Sequence, residues 1–421
     1  MREHECLLSK FRCMRTAISV LRSGHWQSLA GAWLHFEVSF MTWLLVGALG
    51  VSIAAEFGLT ATQKGLLVAV PLLGGALLRV VVGPSSDRFG PKSIGLAVLG
   101  CECLALLWGW LGASNYLQVL GVGLLLGAAG ASFAVALPLA SRAYPPAHQG
   151  LAMGIAASGN SGSVLAMFFA PRLGQMVGWH GVFGLMLLPV ALTALLFTLL
   201  VRDKGGVSRQ ERPSWWWATT VGALRQPSMY WLCFVYGVTF GGFVGLSSFL
   251  PIFFHDQYGL DLVMAGSLTA ACGLAGSLIR PLGGYVADRL GGLRVLRVVF
   301  FGIAALILTI GQLPDLAWAA TLMVMAVAVM GFGNGVVFKV VSDWFPKQIG
   351  MASGLIGAAG GFGGFLLPFW LGLLKDMTGT YQSGFLLFAM SALVAWLSVV
   401  LTIRRSRQAD RRLMDPGRFP R

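Results

Sequence analysis

Two arginines set in apolar surroundings are the residues of this chain best placed to do chemistry. Arg79 lies inside an apolar helix that starts near Gln63 and ends in the charged turn Asp87, Arg88, Gly90, Lys92. Eight residues of α-helix cover about 12 Å. With Asp87 at a membrane surface, Arg79 lies that deep in a hydrocarbon layer about 30 Å thick, near its midplane. The same stretch returns. Gly-Ala-Leu-Leu-Arg-Val-Val-Val-Gly-Pro-Ser-Ser-Asp-Arg-Phe-Gly at 75–90 is matched by Gly-Ser-Leu-Ile-Arg-Pro-Leu-Gly-Gly-Tyr-Val-Ala-Asp-Arg-Leu-Gly at 276–291. Arg280 corresponds to Arg79, Gly284 to Gly83, Asp288 to Asp87, Arg289 to Arg88 and Gly291 to Gly90, each offset by 201 positions. A repeat at about half the chain length means two similar halves. Two halves that each place one arginine near mid-membrane predict a shared central site for an anion. The competing role is structural pairing with a buried acid, for which Glu37 and Glu102 are the intramembrane carboxylates.

The elements that position these arginines are membrane helices. The chain is 56% hydrophobic and 11% charged, less than half the charge of a soluble protein. Its 57 glycines suit close helix packing in lipid. The net charge of +14 does not indicate nucleic acid, because the charges cluster in short segments between apolar runs. Cys101 and Cys103 would point about 200° apart on a helix and cannot share a metal. Cys6, Cys13, Cys233 and Cys272 stand alone, and no two histidines have a ligand spacing. No metal and no cofactor is expected.

Twelve apolar segments are expected, at about 28–54, 63–85, 93–112, 116–142, 150–172, 180–201, 228–254, 263–286, 294–312, 317–341, 350–374 and 381–403. The fold class is all-α membrane, with two pseudo-symmetric six-helix bundles at 27–203 and 227–404. A basic extension (1–26), a polar connector (204–226) and a basic tail (405–421) complete it. The extension has a helical apolar stripe but no run of 7–15 apolar residues, so it does not read as a signal peptide. Trp215, Trp216 and Trp217 suit an interfacial anchor. Of the 30 Lys and Arg residues, 24 fall in the tails and even-numbered loops. Lys64, Arg172 and Lys375 fall on the opposite side. This bias predicts that both termini are cytoplasmic, and the membrane is expected to be the plasma (inner) one.

Gly-x-x-x-Asp-Arg-x-Gly follows both arginine helices. Its charges can pair across the bundles and latch one face shut until that face opens, which makes Gly83, Asp87, Arg88, Gly284, Asp288 and Arg289 the expected gate. Read alone, one copy could equally be a helix stop with solvated charges; two copies in register favour the gate.

The doubled motif, twelve helices and a long central connector resemble the major facilitator superfamily. Closer still, the sequence resembles the nitrate/nitrite porters over about residues 30–403. Phe36-Glu37-Val38-Ser39-Phe40-Met41-Thr42-Trp43, the paired arginines, and the glycine-rich stretches 127–162 and 331–364 carry that resemblance. It implies that Arg79 and Arg280 bind the anion and that Asn160 contacts it. It further implies an aromatic pair, Tyr236 and Phe240, on the seventh helix, and that Phe133 and Phe338 sandwich a planar anion. The chemistry agrees, since nitrate is flat and monovalent and guanidinium is flat, always charged and offers two parallel donors. Core filling is the alternative for the two phenylalanines. Glycines 127, 130, 331, 333 and 335 would let the fourth and tenth helices approach and slide, or simply pack.

Two positions depart from the resemblance. Glu37 stands where Asp is usual, and Lys339 follows Phe338 where a neutral residue is expected. Lys339 could line the cavity as a third positive charge, which would suit nitrite or another anion, or point away and pair with Asp343, four residues on; the second is preferred. The implied activity is alternating-access import of nitrate, and also of nitrite, without enzymatic chemistry. Proton symport through Glu37 or Glu102 and nitrate/nitrite exchange are the two driving schemes. Another small anion on the same scaffold is the alternative substrate. A transporter-like sensor would need a signalling domain that the short loops do not supply. A membrane enzyme would need a nucleophile–base pair, metal cluster or phosphate loop, and none is in the sequence. The expected partners are the anion, a co-transported proton and the lipid bilayer, with no nucleic acid, and a monomer.

Overall fold

A computed structural model describes residues 23–145, 148–202, 222, 225–345 and 349–413. Most of the expected extension, the connector with its three tryptophans and the last tail residues lie outside the described residues. Within them the chain forms twelve consecutive helices. α1 consists of Trp26–Trp43, Leu45–Ala48 and Gly50–Phe57, α2 is Ala61–Phe89, and α3 is Pro91–Leu111. α4 joins Tyr116–Gly130 to Phe133–Arg142. α5 begins with Gln149–Ala157, tightens into a 3-10 turn at Ser158–Ser161 and continues into the run Gly162–Leu200. Gly178, at φ 72°, breaks that run, and residues 179–200 form α6. The second half holds α7 (Pro227–Tyr258), α8 (Leu262–Leu290), α9 (Gly292–Ile310), α10 (Leu316–Trp344), α11 (Ile349–Thr378) and α12 (Gln382–Leu413). Among the described residues, ten continuous runs are long and apolar enough to cross a membrane. One of them, Ala152–Leu200, has 49 residues, enough for two crossings of about 20 each.

Local chemistry explains where these helices start and stop. Thr60 and Gln63 form a capping box at the start of α2, and Asp261 and Asp315 cap α8 and α10 with their side chains. Gly90 (φ 90°) and Gly291 (φ 86°) end α2 and α8 in backbone conformations that disfavour any residue with a Cβ. The last glycine of the repeated motif is therefore the turn itself.

α1–α6 and α7–α12 form two bundles of matching construction. In the first, α2 crosses α4 glycine on glycine, so that a Cβ on Gly127 would lie 2.3 Å from the Gly74 backbone. In the second, α8 crosses α10 the same way, and a Cβ on Gly331 would lie 2.0 Å from the Gly276 carbonyl oxygen. The bundles meet along α2 and α11, which run antiparallel in a seam of small residues. Ala61 faces Gly372, Gly65 faces Pro368, Ala76 faces Gly361, and Arg79 faces Gly357. Beyond Arg79, α2 leaves the seam, and among residues 80–89 only Ser86 is buried. An even number of crossings puts both chain ends, and with them Asp87 and Asp288, on one face. The seam closes the opposite face.

Candidate substrate site

Arg79 and Arg280 come together where the seam ends, one from each bundle. Arg79 is 3% exposed. Its Nε donates to the Gly130 carbonyl of α4 at 2.8 Å, and an Nη donates to the Gly357 carbonyl of α11 at 2.6 Å. A carbonyl of each bundle thus holds the same guanidinium. Three rings wall it in, those of Trp43, Phe240 and Phe133, at 5.1, 5.4 and 5.9 Å from the guanidinium carbon. Arg280 is half-buried, lies 5.7 Å from the Phe338 ring and donates to the Tyr236 hydroxyl at 3.4 Å.

The aromatic residues connect the two cations. Tyr236 stacks on Phe240 with centroids 5.0 Å apart and planes within 5°. One of this pair therefore meets Arg280 and the other Arg79. Phe338 packs edge-on against Tyr236 at 5.2 Å. Phe133 and Phe338 approach each other across the bundles at 6.1 Å and 45°. The structure thus gathers six of the seven expected binding residues into one cluster. A flat anion between parallel rings needs about 7 Å, twice an optimal contact of about 3.5 Å. The slot between these two rings is narrower than that and tilted.

The seventh residue stands one layer back. Asn160 is buried in the 3-10 turn of α5, where its backbone carbonyl accepts from the Ser163 hydroxyl. Its neighbour Gly159 packs on Phe36, and Phe36 packs on Phe133 at 5.8 Å. The two intramembrane acids lie apart from the arginines. Glu37 accepts from Ser161 at 2.8 Å, and Glu102, fully buried in α3, accepts from Ser39 at 2.7 Å. Neither is in an ion pair with Arg79 or Arg280, so the structural-pairing role of the arginines does not hold in this structure.

On the face of the chain ends, the motif charges pair inside their own bundles. Asp87 meets Arg142 of α4 at 2.7 Å, and Asp288 meets Lys339 of α10 at 3.2 Å. Arg88 lies over Phe89 and Arg289 over Tyr285. A Cβ on Gly83 would come within 4.0 Å of Ala134 in α4, and one on Gly284 within 3.8 Å of the Gly335 carbonyl in α10. Lys339 also pairs with Asp343 at 2.8 Å, as expected, so its charge goes to the surface and not to the rings. Among the described residues no three His, Cys, Asp or Glu side chains are grouped to hold a metal ion.

Sequence reasoning missed three parts of the site. Trp43 lies against Arg79 and donates its indole N–H to the Pro71 carbonyl at 2.7 Å. A signal for it existed, because Phe36, Phe40 and Trp43 recur at helical spacing on one face of α1. The Gly130 and Gly357 carbonyls left no such signal, since backbone groups are common to every residue.

Comparison with known proteins places this geometry in a family. The family described as Major Facilitator Superfamily matches residues 32–339. A Mycobacterium tuberculosis protein named "Probable nitrate/nitrite transporter NarK2" is 35% identical over 384 residues, covering 89% of this chain and 96% of the relative. The chain belongs to the nitrate/nitrite porters of the major facilitator superfamily. The porter is also 31% identical to the "Nitrite extrusion protein" of Bacillus subtilis, over 87% of this chain and 92% of that one. It is 30% identical to the "Probable nitrate/nitrite antiporter NarK1" of Thermus thermophilus, over 90% and 91%. Two solved structures share the porter's fold. A D-xylose-proton symporter matches with a TM-score of 0.71 at 15% identity, covering 89% of this chain and 97% of that one. A bacterial homologue of the lysosomal transporter Spinster, solved inward-facing and occupied, matches with 0.69 at 20%, covering 89% and 96%.

Proposed function

We propose that this porter is a secondary active transporter of the plasma membrane that imports nitrate, and also carries nitrite, by alternating access. The observation that carries the reading is the cluster of Arg79 and Arg280, one from each bundle, joined by aromatic rings and paired with no acid among the described residues. Such a site offers flat donors and flat faces to a small planar anion. A weakly hydrated anion is favoured over phosphate, which the rings would strip of water without replacing its many hydrogen bonds. Phe133 and Phe338 part by about 1 Å to admit the anion, and Asn160 moves toward it with the 3-10 turn of α5. The bodies that rock are residues 27–203 and 227–404, a monomer carrying its own site. With both termini cytoplasmic, as the Lys and Arg bias supports, the closed seam lies outward and the site opens inward.

Uptake against a negative-inside potential needs a driving force of about 2.3 kcal/mol per charge per 100 mV. Proton symport through Glu37 or Glu102 is the proposed coupling, and exchange of nitrate for internal nitrite is the second reading, favoured by the lack of contact between either acid and the arginines. Nitrate uptake into proteoliposomes decides between them. Uptake driven by an inward proton gradient and lost in Glu37→Gln or Glu102→Gln supports symport. Uptake that requires trapped nitrite supports exchange and removes both acids from the coupling. No nitrate movement in folded protein overturns the substrate assignment.

A further inference from the structure

On the face opposite the chain ends, polar contacts tie one bundle to the other. Asp376, near the end of α11, takes up the first turn of α2. The Ala61 and Thr62 backbone N–H groups donate to its carboxylate at 3.1 and 2.7 Å, and the Thr62 hydroxyl donates at 2.5 Å. Asp256 in α7 meets Lys64 of α2 at 2.7 Å and accepts from the Tyr381 hydroxyl at 3.2 Å. Burial and the Asp256 carboxylate push the Tyr381 phenol up, so it remains a donor. Arg172 of α5 donates to Ser267 of α8 at 2.9 Å. In each of these cross-bundle contacts the first bundle supplies donors and cations and the second supplies acceptors. Of the ion pairs between described residues, Lys64–Asp256 spans the bundles, whereas those on the other face stay within one bundle. Two of the three cations that the sequence assigns to this face, Lys64 and Arg172, are thereby engaged across the bundle boundary.

These contacts sit at the head of the α2–α11 seam. Ala61, Gly65, Ala76 and Arg79 follow one another down α11 from that held first turn. We infer that Asp376 and Asp256 are positioning residues that clamp α2 and hold the porter in its present state, and that release of this clamp exposes the arginines to the opposite face. The inference rests on the alternating-access reading but not on the identity of the anion.

The test measures two distances by electron spin resonance in the full-length porter, with native cysteines replaced. One label pair replaces Leu117 and Trp318, exposed at the starts of α4 and α10 on the clamp face. The other replaces Phe89 and Leu290, exposed on the opposite face. In a variant carrying Asp376→Asn and Asp256→Asn, the clamp-face distance should lengthen and the other should shorten. Asp376→Glu should retain the parental distances. If the double variant is not recovered folded, Thr62→Ala with Lys64→Gln removes the hydroxyl and ammonium contacts from the other bundle, leaves the two backbone donors, and should give smaller opposed shifts of the same sign. Unchanged distances in a folded clamp-deficient variant overturn the inference. A wild type that never changes distance in any anion, beside variants that do, would count against transport and leave the clamp standing.

Discussion

At the scale of single residues, the proposed site would use the shape of guanidinium as much as its charge. Arg79 spends one donor on each bundle and keeps the rest toward the rings. Lysine would keep the charge and lose the fork. Arg79→Lys and Arg280→Lys are each expected to weaken nitrate binding at least about tenfold, or ~1.4 kcal/mol, read as the loss of nitrate protection in thermal unfolding. Glu102 gives a different test. Its carboxyl accepts from Ser39 in a fully buried position. Glu102→Gln keeps an acceptor and should leave the unfolding temperature nearly unchanged, whereas Glu102→Leu strands the Ser39 hydroxyl and should cost about 1–3 kcal/mol. The arginines were legible in the sequence, because a charge inside an apolar helix stands out and recurs; Phe133, Tyr236, Phe240 and Phe338 came only from the resemblance to the porters. The carbonyls of Gly130 and Gly357 were not, because which backbone oxygen faces the site depends on how α4 and α11 cross α2.

At the scale of helices, the twelve apolar runs were readable because lipid imposes length and hydropathy on each crossing. What escaped is where a helix departs from regularity. The 3-10 turn at Ser158–Ser161 forms where α5 presses on α1, and a Cβ on Gly162 would lie 1.9 Å from the Glu37 carbonyl oxygen. That pressure comes from another helix and leaves no local signature. The glycine crossings, by contrast, were visible as glycine-rich stretches, although their partners were not. Gly127→Val drives a side chain into the Gly74 backbone. It should lower stability by about 1–3 kcal/mol in denaturation, more than the same change at Gly100, which has open space around it.

At the scale of the whole molecule, the repeated Asp-Arg motif was expected to latch the bundles to each other. In this structure its aspartates hold α4 and α10 instead, and the cross-bundle ties lie at the far end of α2. The sequence showed the motif's address but not which of two states would be seen. The midpoint arginines have a consequence for the empty protein. Arg79 and Arg280 come from opposite bundles to one cluster of rings and are in no ion pair among the described residues, so a vacant site leaves two like charges unscreened by any acid. Two unit charges about 4 Å apart repel by roughly 4 kcal/mol at an effective dielectric near 20. An anion between them would act as a rivet, and the vacant swing is expected to be slower than the loaded one. Residual repulsion of only about 1.4 kcal/mol slows the vacant swing tenfold. Tracer swap with anion on both sides should therefore outpace net filling of empty vesicles by about that factor or more, whatever the driving force. Return without cargo is then expected to be slowed by the same two charges that are proposed to recognise the cargo.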